Sequence, residues 1–152
     1  MEIRGACHCR NIGYVLDWPD GAPQIPVRAC DCTFCCKHGG SWTSHPDAAL
    51  RVTIGDRSRV SVYRFGTATA EFHVCTTCGV VPFVTSTVQD HVYAVVNVNS
   101  FESLDPRALA RAPAHFEGEE SGARLARRAR HWIPHVRIDG EETPPGGGEA
   151  RS

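Results

Sequence analysis

The segment Cys75-Thr76-Thr77-Cys78-Gly79 carries two cysteines at the spacing of a metal knuckle. A tight turn between such cysteines aims both sulfurs at one point, and a following glycine eases the turn. A structural zinc site takes four ligands in a tetrahedron, so this pair needs two further cysteines from another part of the chain. We therefore expect a metal to tie this turn to a distant segment and to contribute directly to folding.

Two other groups of cysteines can supply the missing ligands, Cys7-His8-Cys9 and Cys30-Asp31-Cys32-Thr33-Phe34-Cys35. The three cysteines of the second group lie within six residues and can reach one metal unaided, whereas each pair needs another pair. We assign Cys7, Cys9, Cys75 and Cys78 to a closed site, and Cys30, Cys32 and Cys35 to an open one. The sequence thus predicts two zinc ions per chain, the second with a free position for chemistry.

Other uses of these thiols stay open. Cys36 is expected to be buried and not a ligand, although the four cysteines from Cys30 to Cys36 can also close a purely local site. The spacing Cys32-x-x-Cys35 also occurs in redox dithiols. We predict no helical run after it that would lower a thiol pKa, which argues against the redox alternative. Three separate clusters argue against cysteines that serve only as small buried hydrophobes.

Short runs rich in valine, isoleucine, tyrosine and phenylalanine predict a mainly β fold. Several runs alternate apolar with polar residues, and none has the length or period of a helix. The links between them are too short for helical crossovers, so we expect antiparallel pairing. The predicted strands are residues 12–16, 50–54, 60–65, 71–74, 80–84 and 91–98.

The length of 152 residues fits one domain, predicted over residues 1–118. The formal net charge of −1 offers no basic field for nucleic acid or for an anionic membrane surface. The chain begins without an apolar run after a basic cap, and no stretch approaches the roughly 18 apolar residues that span a bilayer. We expect a soluble, cytoplasmic protein with reduced thiols.

The C-terminal part of the chain has a different composition. Ser121–Ile133 combines helix formers with a basic end that suits the helix dipole, so a helical extension is predicted over residues 119–138. Its arginines are expected to be solvated, although they could contact an acidic partner. Residues 139–152, rich in glycine and proline, are predicted to be a disordered tail.

Four motifs occur in an order that resembles the glutathione-dependent formaldehyde-activating enzyme and centromere protein V domain family. The resemblance covers roughly residues 3–100. Two departures are Arg10-Asn11, where many relatives carry glycine, and Cys36-Lys37-His38, where a basic or small residue often follows the triplet. The motifs are Gly5-Ala6-Cys7-His8-Cys9, Cys30 to Gly39, Phe72 to Gly79 and Val96-Asn97-Val98.

The resemblance implies a β-tent fold of short antiparallel strands around a structural zinc held at Cys7, Cys9, Cys75 and Cys78. It also implies a second zinc at Cys30, Cys32 and Cys35. The implied activity is adduct formation between glutathione and formaldehyde, giving S-hydroxymethylglutathione, with the glutathione thiol as the incoming ligand of the second zinc. The centromere-protein branch suggests the alternative of a zinc-stabilised binding module without catalysis.

For a carbon–sulfur lyase-type reaction of this kind, the candidate catalytic residues are Cys30, Cys32, Cys35 and His38. The imidazole of His38 is the titratable group nearest in sequence that could protonate the alkoxide, although it could equally be a solvated loop residue. Lys37 is a candidate for pairing with a carboxylate of glutathione, and Asn97 for hydrogen bonding to substrate or to backbone. Alternation along an extended segment would point His8 away from the metal.

Overall fold

The chain folds into two sheets that share one core. The computed structural model describes residues 1–21, 24–138 and 141–142. The prediction of a mainly β fold is confirmed. The strands are β1 (Glu2–Ala6), β2 (Ile12–Asp17), β3 (Ile25–Cys30), β4 (Trp42–Thr43), β5 (Ala49–Ile54), β6 (Val60–Tyr63), β7 (Glu71–Cys75), β8 (Phe83–Val88), β9 (His91–Asn97), β10 (Leu109–Ala114), β11 (His135–Ile138) and β12 (Glu141–Glu142). The helices are α1 (Thr33–His38) and α2 (Ser121–His131), with 3-10 turns at Arg57–Arg59, Val98–Ser100 and Pro106–Ala108.

Among the described residues, the first sheet has the order β1-β2-β5-β11-β12 and the second β10-β3-β4-β9-β8-β7-β6. Strands β2 and β5 alternate buried with exposed or half-buried residues, because only one face of the first sheet is covered. Strands β8 and β9 are buried on both faces. Phe83 and Val96 pack into the core with Leu50, whereas Val84 and Val95 pack into a second cluster with Trp132.

Each predicted strand overlaps a strand of the structure, but the expectation of antiparallel pairing holds only in part. Strand β10 pairs with β3 in parallel, and β11 pairs with β5 in parallel. The argument from short links considered neighbours in the sequence, whereas both parallel pairs join segments far apart in the chain, where no short link constrains direction. Six strands in the described part of the chain were not predicted. Glycine, proline, alanine, arginine and histidine dilute the apolar pattern of β1, β3, β10 and β11, and β4 and β12 have only two residues each.

Helix α1 corrects the prediction that no helical run follows Cys32. The Cys32 sulfur accepts a hydrogen bond from the Cys35 amide at 3.4 Å, and Cys32 is the N-cap. Gly39 ends the helix with φ 76°, and its amide donates to the Cys35 carbonyl at 2.7 Å. A six-residue helix is too short to show a period in the sequence, so its caps define it.

Helix α2 lies within residues 119–138, which were predicted to be helical, but the prediction is too long: the helix ends at His131, and His135–Ile138 form strand β11 of the first sheet instead. The Glu120 carboxylate accepts hydrogen bonds from the amides of Gly122 and Ala123 at 2.8 and 3.0 Å, which satisfies the first free amides of the helix. The helix packs on β8 of the second sheet. In the part of the chain that the structure describes, no helix is long and apolar enough to cross a membrane. The predicted disordered tail lies outside the described residues, apart from the backbone of β12.

Candidate metal centres and the cavity beside them

The first cysteine cluster joins two turns that belong to different sheets. Cys7 directly follows β1 and Cys9 lies in the turn to β2, whereas Cys75 ends β7 and Cys78 lies in the turn that follows. The turn after β7 is closed by the Gly79 amide, which donates to the Cys75 carbonyl at 2.7 Å, and Gly79 has φ 78°. The structure thus brings together the four sulfurs that the sequence assigned to one site, all within 4.8 Å of one another.

The spacing of these sulfurs fits a tetrahedral zinc ion. Zinc–sulfur bonds of about 2.3 Å place the sulfurs of a tetrahedron about 3.8 Å apart. The Cys7 and Cys9 sulfurs are 3.8 Å apart, and those of Cys9 and Cys75 are 3.4 Å apart. Four cysteines without an oxygen ligand also form a donor set that suits zinc and disfavours magnesium or calcium.

The surroundings of this cluster treat its thiols differently. Burial raises the pKa of Cys7 to about 12, although the Ile12 amide donates to its sulfur at 3.3 Å. Burial also acts to raise the pKa of Cys78, but the amides of Cys9 and Val80 stabilise its thiolate and lower the pKa to about 6. One thiolate is therefore prepared at neutral pH, and a cation is needed to ionise the buried Cys7.

The second cluster lies between β3 and α1. Cys30 ends β3, Cys32 caps α1 and Cys35 is buried within it, and the three sulfurs lie within 4.8 Å of one another. The indole Nε1 of Trp42 donates to the Cys35 sulfur at 3.3 Å. Hydrogen bonding from Cys35 lowers the pKa of Cys30 to about 6, and the same contact, together with burial, raises the pKa of Cys35. This group also fits zinc, with three protein ligands and one position left.

Cys36 is not part of the second cluster, as predicted, but it is exposed rather than buried. It follows Cys35 on a helix, so the two side chains point about 100° apart. Its thiol donates to the Asp31 carbonyl at 3.4 Å. The local site of four cysteines does not form among the described residues.

A cavity of about 380 Å³ opens at the second cluster, and Cys30, Cys32 and Cys35 all line it. Its other walls come from the second sheet, from the segment between β6 and β7, and from the C-terminal segment, and they include five aromatic residues. The aromatic residues of the lining are Trp42, Phe65, Phe72, Phe116 and Trp132. A small organic molecule could therefore contact the cysteine cluster while most of its surface is removed from water.

Four arginines also line this cavity, Arg28 from β3 and Arg124, Arg127 and Arg128 from α2. This corrects the expectation that the arginines of the helix are solvated, because Arg128 is only 6% exposed and the side chains of Arg124 and Arg127 are each 19% exposed. Burial, with the neighbouring charge of Arg127, lowers the pKa of Arg28 to about 10. Burial lowers the pKa of Arg128 to about 10 as well, with Arg124 and Arg127 adding to the effect.

The other residues proposed from the sequence lie elsewhere. His38 and Lys37 are exposed on α1 and line a neighbouring groove with Phe34 and Tyr63, and His38 stacks on Phe34 at 5.3 Å. Asn97 is buried away from the cavity lining, where its amide donates to the Val81 carbonyl at 3.1 Å. None of these three residues lines the cavity that opens at the three-cysteine cluster.

The side-chain oxygen of Asn97 also accepts hydrogen bonds from the backbone. Its Oδ1 accepts from the amide of Asn99 at 3.1 Å and from that of Ser41 at 3.4 Å. These contacts satisfy the side chain within the fold. His8 is exposed and does not join the four-cysteine cluster, as alternation along the chain predicts.

The sequence analysis did not predict that four arginines and two tryptophans, Trp42 and Trp132, line one cavity. One signal was available: four arginines within Arg124–Arg130 are spaced so that three of them share one side of a helix. That spacing does not say whether the shared side faces solvent or protein. Arg28 and Trp42 lie in segments where the sequence predicted no element at all.

The family model described as glutathione-dependent formaldehyde-activating enzyme matches residues 2–117. The crystal structure of a Rhodobacter sphaeroides protein, a Northeast Structural Genomics target, is similar with a TM-score of 0.54 and 31% sequence identity. That similarity covers 72% of this chain and 97% of the other. Among curated proteins, nothing matches. Helix α2 lies beyond the range that the family model matches.

Proposed function

The chain belongs to the glutathione-dependent formaldehyde-activating enzyme family, and from this premise we propose that it is a zinc-dependent enzyme of the carbon–sulfur lyase type. It forms or cleaves the adduct of glutathione and a small aldehyde, such as S-hydroxymethylglutathione. The observation that carries the proposal is the second cluster, which offers three sulfurs and not four, and which opens into a cavity of about 380 Å³.

Zinc at Cys30, Cys32 and Cys35 would supply an open position at which a thiol sulfur binds as its thiolate. The residues of the chain do the rest. The Trp42 indole holds Cys35 in place by its hydrogen bond, and the aromatic residues of the lining contact the apolar part of the substrate. The low pKa of Cys30 keeps this cluster anionic and ready for a cation.

In the forward reaction, a bond forms between the thiol sulfur and the aldehyde carbon, and the carbonyl π electrons move to oxygen. The proton lost by the thiol is matched by the proton that the new hydroxyl gains. We propose that solvent at the mouth of the cavity delivers this proton. His38 remains a candidate donor only through solvent, because it lies in the neighbouring groove with Phe34.

The four-cysteine cluster would hold the other zinc ion, in a structural role. It connects the turn after β1 to the turn after β7, and its ligands fill the tetrahedron. The eight cysteines form no disulfide. A chain that depends on reduced thiols suits a reducing compartment, so we propose a cytoplasmic location.

The test uses zinc-loaded full-length protein, mixed with glutathione and formaldehyde. We expect glutathione to raise the melting temperature and the protein to accelerate the loss of formaldehyde above the uncatalysed rate. Cys32→Ser should abolish the acceleration, while Cys36→Ser, at the exposed neighbouring thiol, should keep it. An uncatalysed rate with wild-type protein would refute the enzyme; stabilisation by glutathione without acceleration would favour a binding module.

A thiol redox protein is the second candidate. The sequence argued against it because no helix was predicted at Cys32-x-x-Cys35, but the structure has helix α1 there. Cys32 is the N-cap of α1, and its sulfur lies within 4.8 Å of Cys35. Metal analysis separates the two candidates. Two zinc ions per chain support the lyase, whereas one zinc and a reversible Cys32–Cys35 disulfide would support the redox protein.

A further inference from the structure

The arginine wall, defined as Arg28, Arg124, Arg127 and Arg128, contains two kinds of cation. Arg127 is neutralised: its guanidinium makes a two-pronged contact with the Glu119 carboxylate, with nitrogen–oxygen distances of 3.0 Å, and lies 3.9 Å above the Phe116 ring. Arg124 lies next to the same carboxylate, with its Nε 3.9 Å from Oε1. The Glu119 carboxylate is therefore the counter-ion of both Arg124 and Arg127.

Arg28 and Arg128 have no carboxylate partner among the residues that the structure describes, although the Arg128 guanidinium lies 5.0 Å from the centre of the Trp132 ring. The Nη2 of Arg28 donates to the Ser44 hydroxyl at 2.7 Å, and the Nη1 of Arg128 donates to the hydroxyls of Thr69 and Ser86 at 2.8 and 3.0 Å. Neutral hydroxyls orient a guanidinium but do not cancel its charge. A cation as buried as Arg128, which is 6% exposed, is costly to keep without a counter-ion.

Unused donors point to the same conclusion. Within the described part of the chain, the Nε atoms of Arg128 and Arg124 are buried and have no hydrogen-bond partner. Two carboxylates lie with the four guanidinium groups, Glu117 in the cavity lining and Glu119 beside Arg124 and Arg127, so positive charge is in excess on the wall. The wall thus contains incompletely paired, buried cations, and an anion in the cavity would offset their charge.

We propose that the cavity recognises a carboxylate of its substrate on this wall, with Arg28 and Arg128 as the charged donors. The substrate is then an acid that carries a thiol, or the aldehyde adduct of such a thiol, oriented with its sulfur toward Cys30, Cys32 and Cys35. This inference rests on the proposed function for the identity of the thiol. Arg128 comes from α2, beyond the range matched by the family model, so α2 adds its own selectivity to the family's metal site.

The geometry requires a bifunctional ligand. The cysteine cluster and the arginine wall line the same cavity of about 380 Å³, large enough for a tripeptide-sized molecule. Phe72, Val84 and Val95 lie in the lining with them and contact the apolar part of the ligand. A guanidinium and a carboxylate form paired, directional hydrogen bonds, so the wall fixes orientation as well as charge.

The experiment separates recognition of the acid from chemistry at the thiol. S-methylglutathione keeps both carboxylates but has no free thiol, and its diethyl ester lacks the carboxylates. Each is titrated into zinc-loaded full-length protein, with tryptophan fluorescence as the readout, because Trp42 and Trp132 line the cavity. We expect the acid to bind at least ten-fold more tightly than the ester, and increasing salt to reduce this preference.

Variants then locate the preference. Arg128→Gln and Arg28→Gln should each reduce it at least ten-fold without changing ester binding, and Arg128→Lys should retain part of it because charge is kept but the fork is lost. Arg130→Gln is the matched control, since Arg130 is exposed on the same helix and absent from the lining. If Arg128→Gln fails to fold, Arg28→Gln and the comparison of acid with ester on wild-type protein still decide.

Equal binding of acid and ester, no binding of either, or an acid preference that survives both glutamine variants would overturn the proposal. Its failure is distinguishable from that of the proposed function. A protein that consumes formaldehyde equally fast with glutathione and with glutathione diethyl ester is the enzyme without the acid site. A protein that prefers S-methylglutathione to its ester but never accelerates the reaction has the acid site without the enzyme.

Discussion

At the scale of single residues, backbone geometry explains why particular positions hold small side chains. Gly5 on β1 faces Tyr14 on β2, and the Tyr14 hydroxyl hydrogen bonds to that of Ser100 at 2.7 Å. The ring of Tyr14 occupies the space where a side chain at position 5 would lie. Arg10 shows the opposite case: it carries a long side chain but adopts φ 68°, in the region that favours glycine.

Gly5→Ala is expected to destabilise the zinc-loaded protein by about 2 to 3 kcal/mol, because a Cβ there would overlap Tyr14 and lie 2.6 Å from the Ser100 carbonyl oxygen. Gly13→Ala on the neighbouring strand is the control. Its Cβ would meet no atom nearer than the Gly5 carbonyl oxygen at 3.9 Å, and it should change stability by less than about 1 kcal/mol. Denaturant unfolding measures both; equal values would contradict the steric argument.

At the scale of elements, side-chain hydrogen bonds hold the ends of strands where the ladder stops. Asn97 ends β9 and caps the 3-10 turn Val98–Ser100, while bonding to backbone groups next to β4 and β8. Asn11 acts similarly between β2 and β5, where its Oδ1 accepts from the Asp56 amide at 2.8 Å. Because both side chains are buried, each hydrogen bond that they make replaces one that water would otherwise provide.

Asn97→Ala is expected to lower the free energy of unfolding by about 2 kcal/mol, since it leaves the Val81 carbonyl and the Asn99 amide without this partner. The stabilisation by glutathione should stay the same. Asn99→Ala, at the exposed neighbour, is the control and should cost less. Thermal unfolding with and without glutathione decides: unchanged stability with lost glutathione binding would instead support the substrate contact considered from the sequence.

At the scale of the whole molecule, the two cysteine clusters occupy different places in the architecture. The four-cysteine cluster connects the sheet that contains β1 to the sheet that contains β7 and includes two fully buried sulfur-bearing residues, Cys7 and Cys75. The three-cysteine cluster lies at one side of the second sheet, where α1 and α2 enclose the cavity. Metal at the first site would therefore hold the sheets together, and metal at the second would serve the cavity.

Cys75→Ser is expected to leave the protein largely unfolded, because losing a structural zinc removes a free energy comparable to the stability of a whole domain, about 5–15 kcal/mol. Cys35→Ser should keep a cooperative melting transition and one zinc ion per chain. Elemental analysis and circular dichroism measure the two outcomes. A folded Cys75→Ser variant with an unchanged melting temperature would show that the first cluster does not support the fold.

Much of the fold and the grouping of the cysteines could be predicted from the sequence. Ligand valence and short spacings are local properties, so the division of seven cysteines into four and three could be predicted, as could strands with a strong apolar period such as β5 and β9. Helix α1 was not predicted, because its stability comes from caps at Cys32 and Gly39. The two parallel strand pairs were not predicted, because each joins segments that are remote in the chain.

The cavity was decided only in three dimensions. Arg28, Trp42 and Arg128 are distant in sequence, and nothing local distinguishes a buried arginine from a solvated one. Docking α2 on β8 removes Arg128 from water and places it in the lining of the cavity that also contains the open cysteine cluster. Ligand identity follows from side-chain chemistry that the sequence already contains, whereas the charge and shape that select a substrate arise from packing between distant segments.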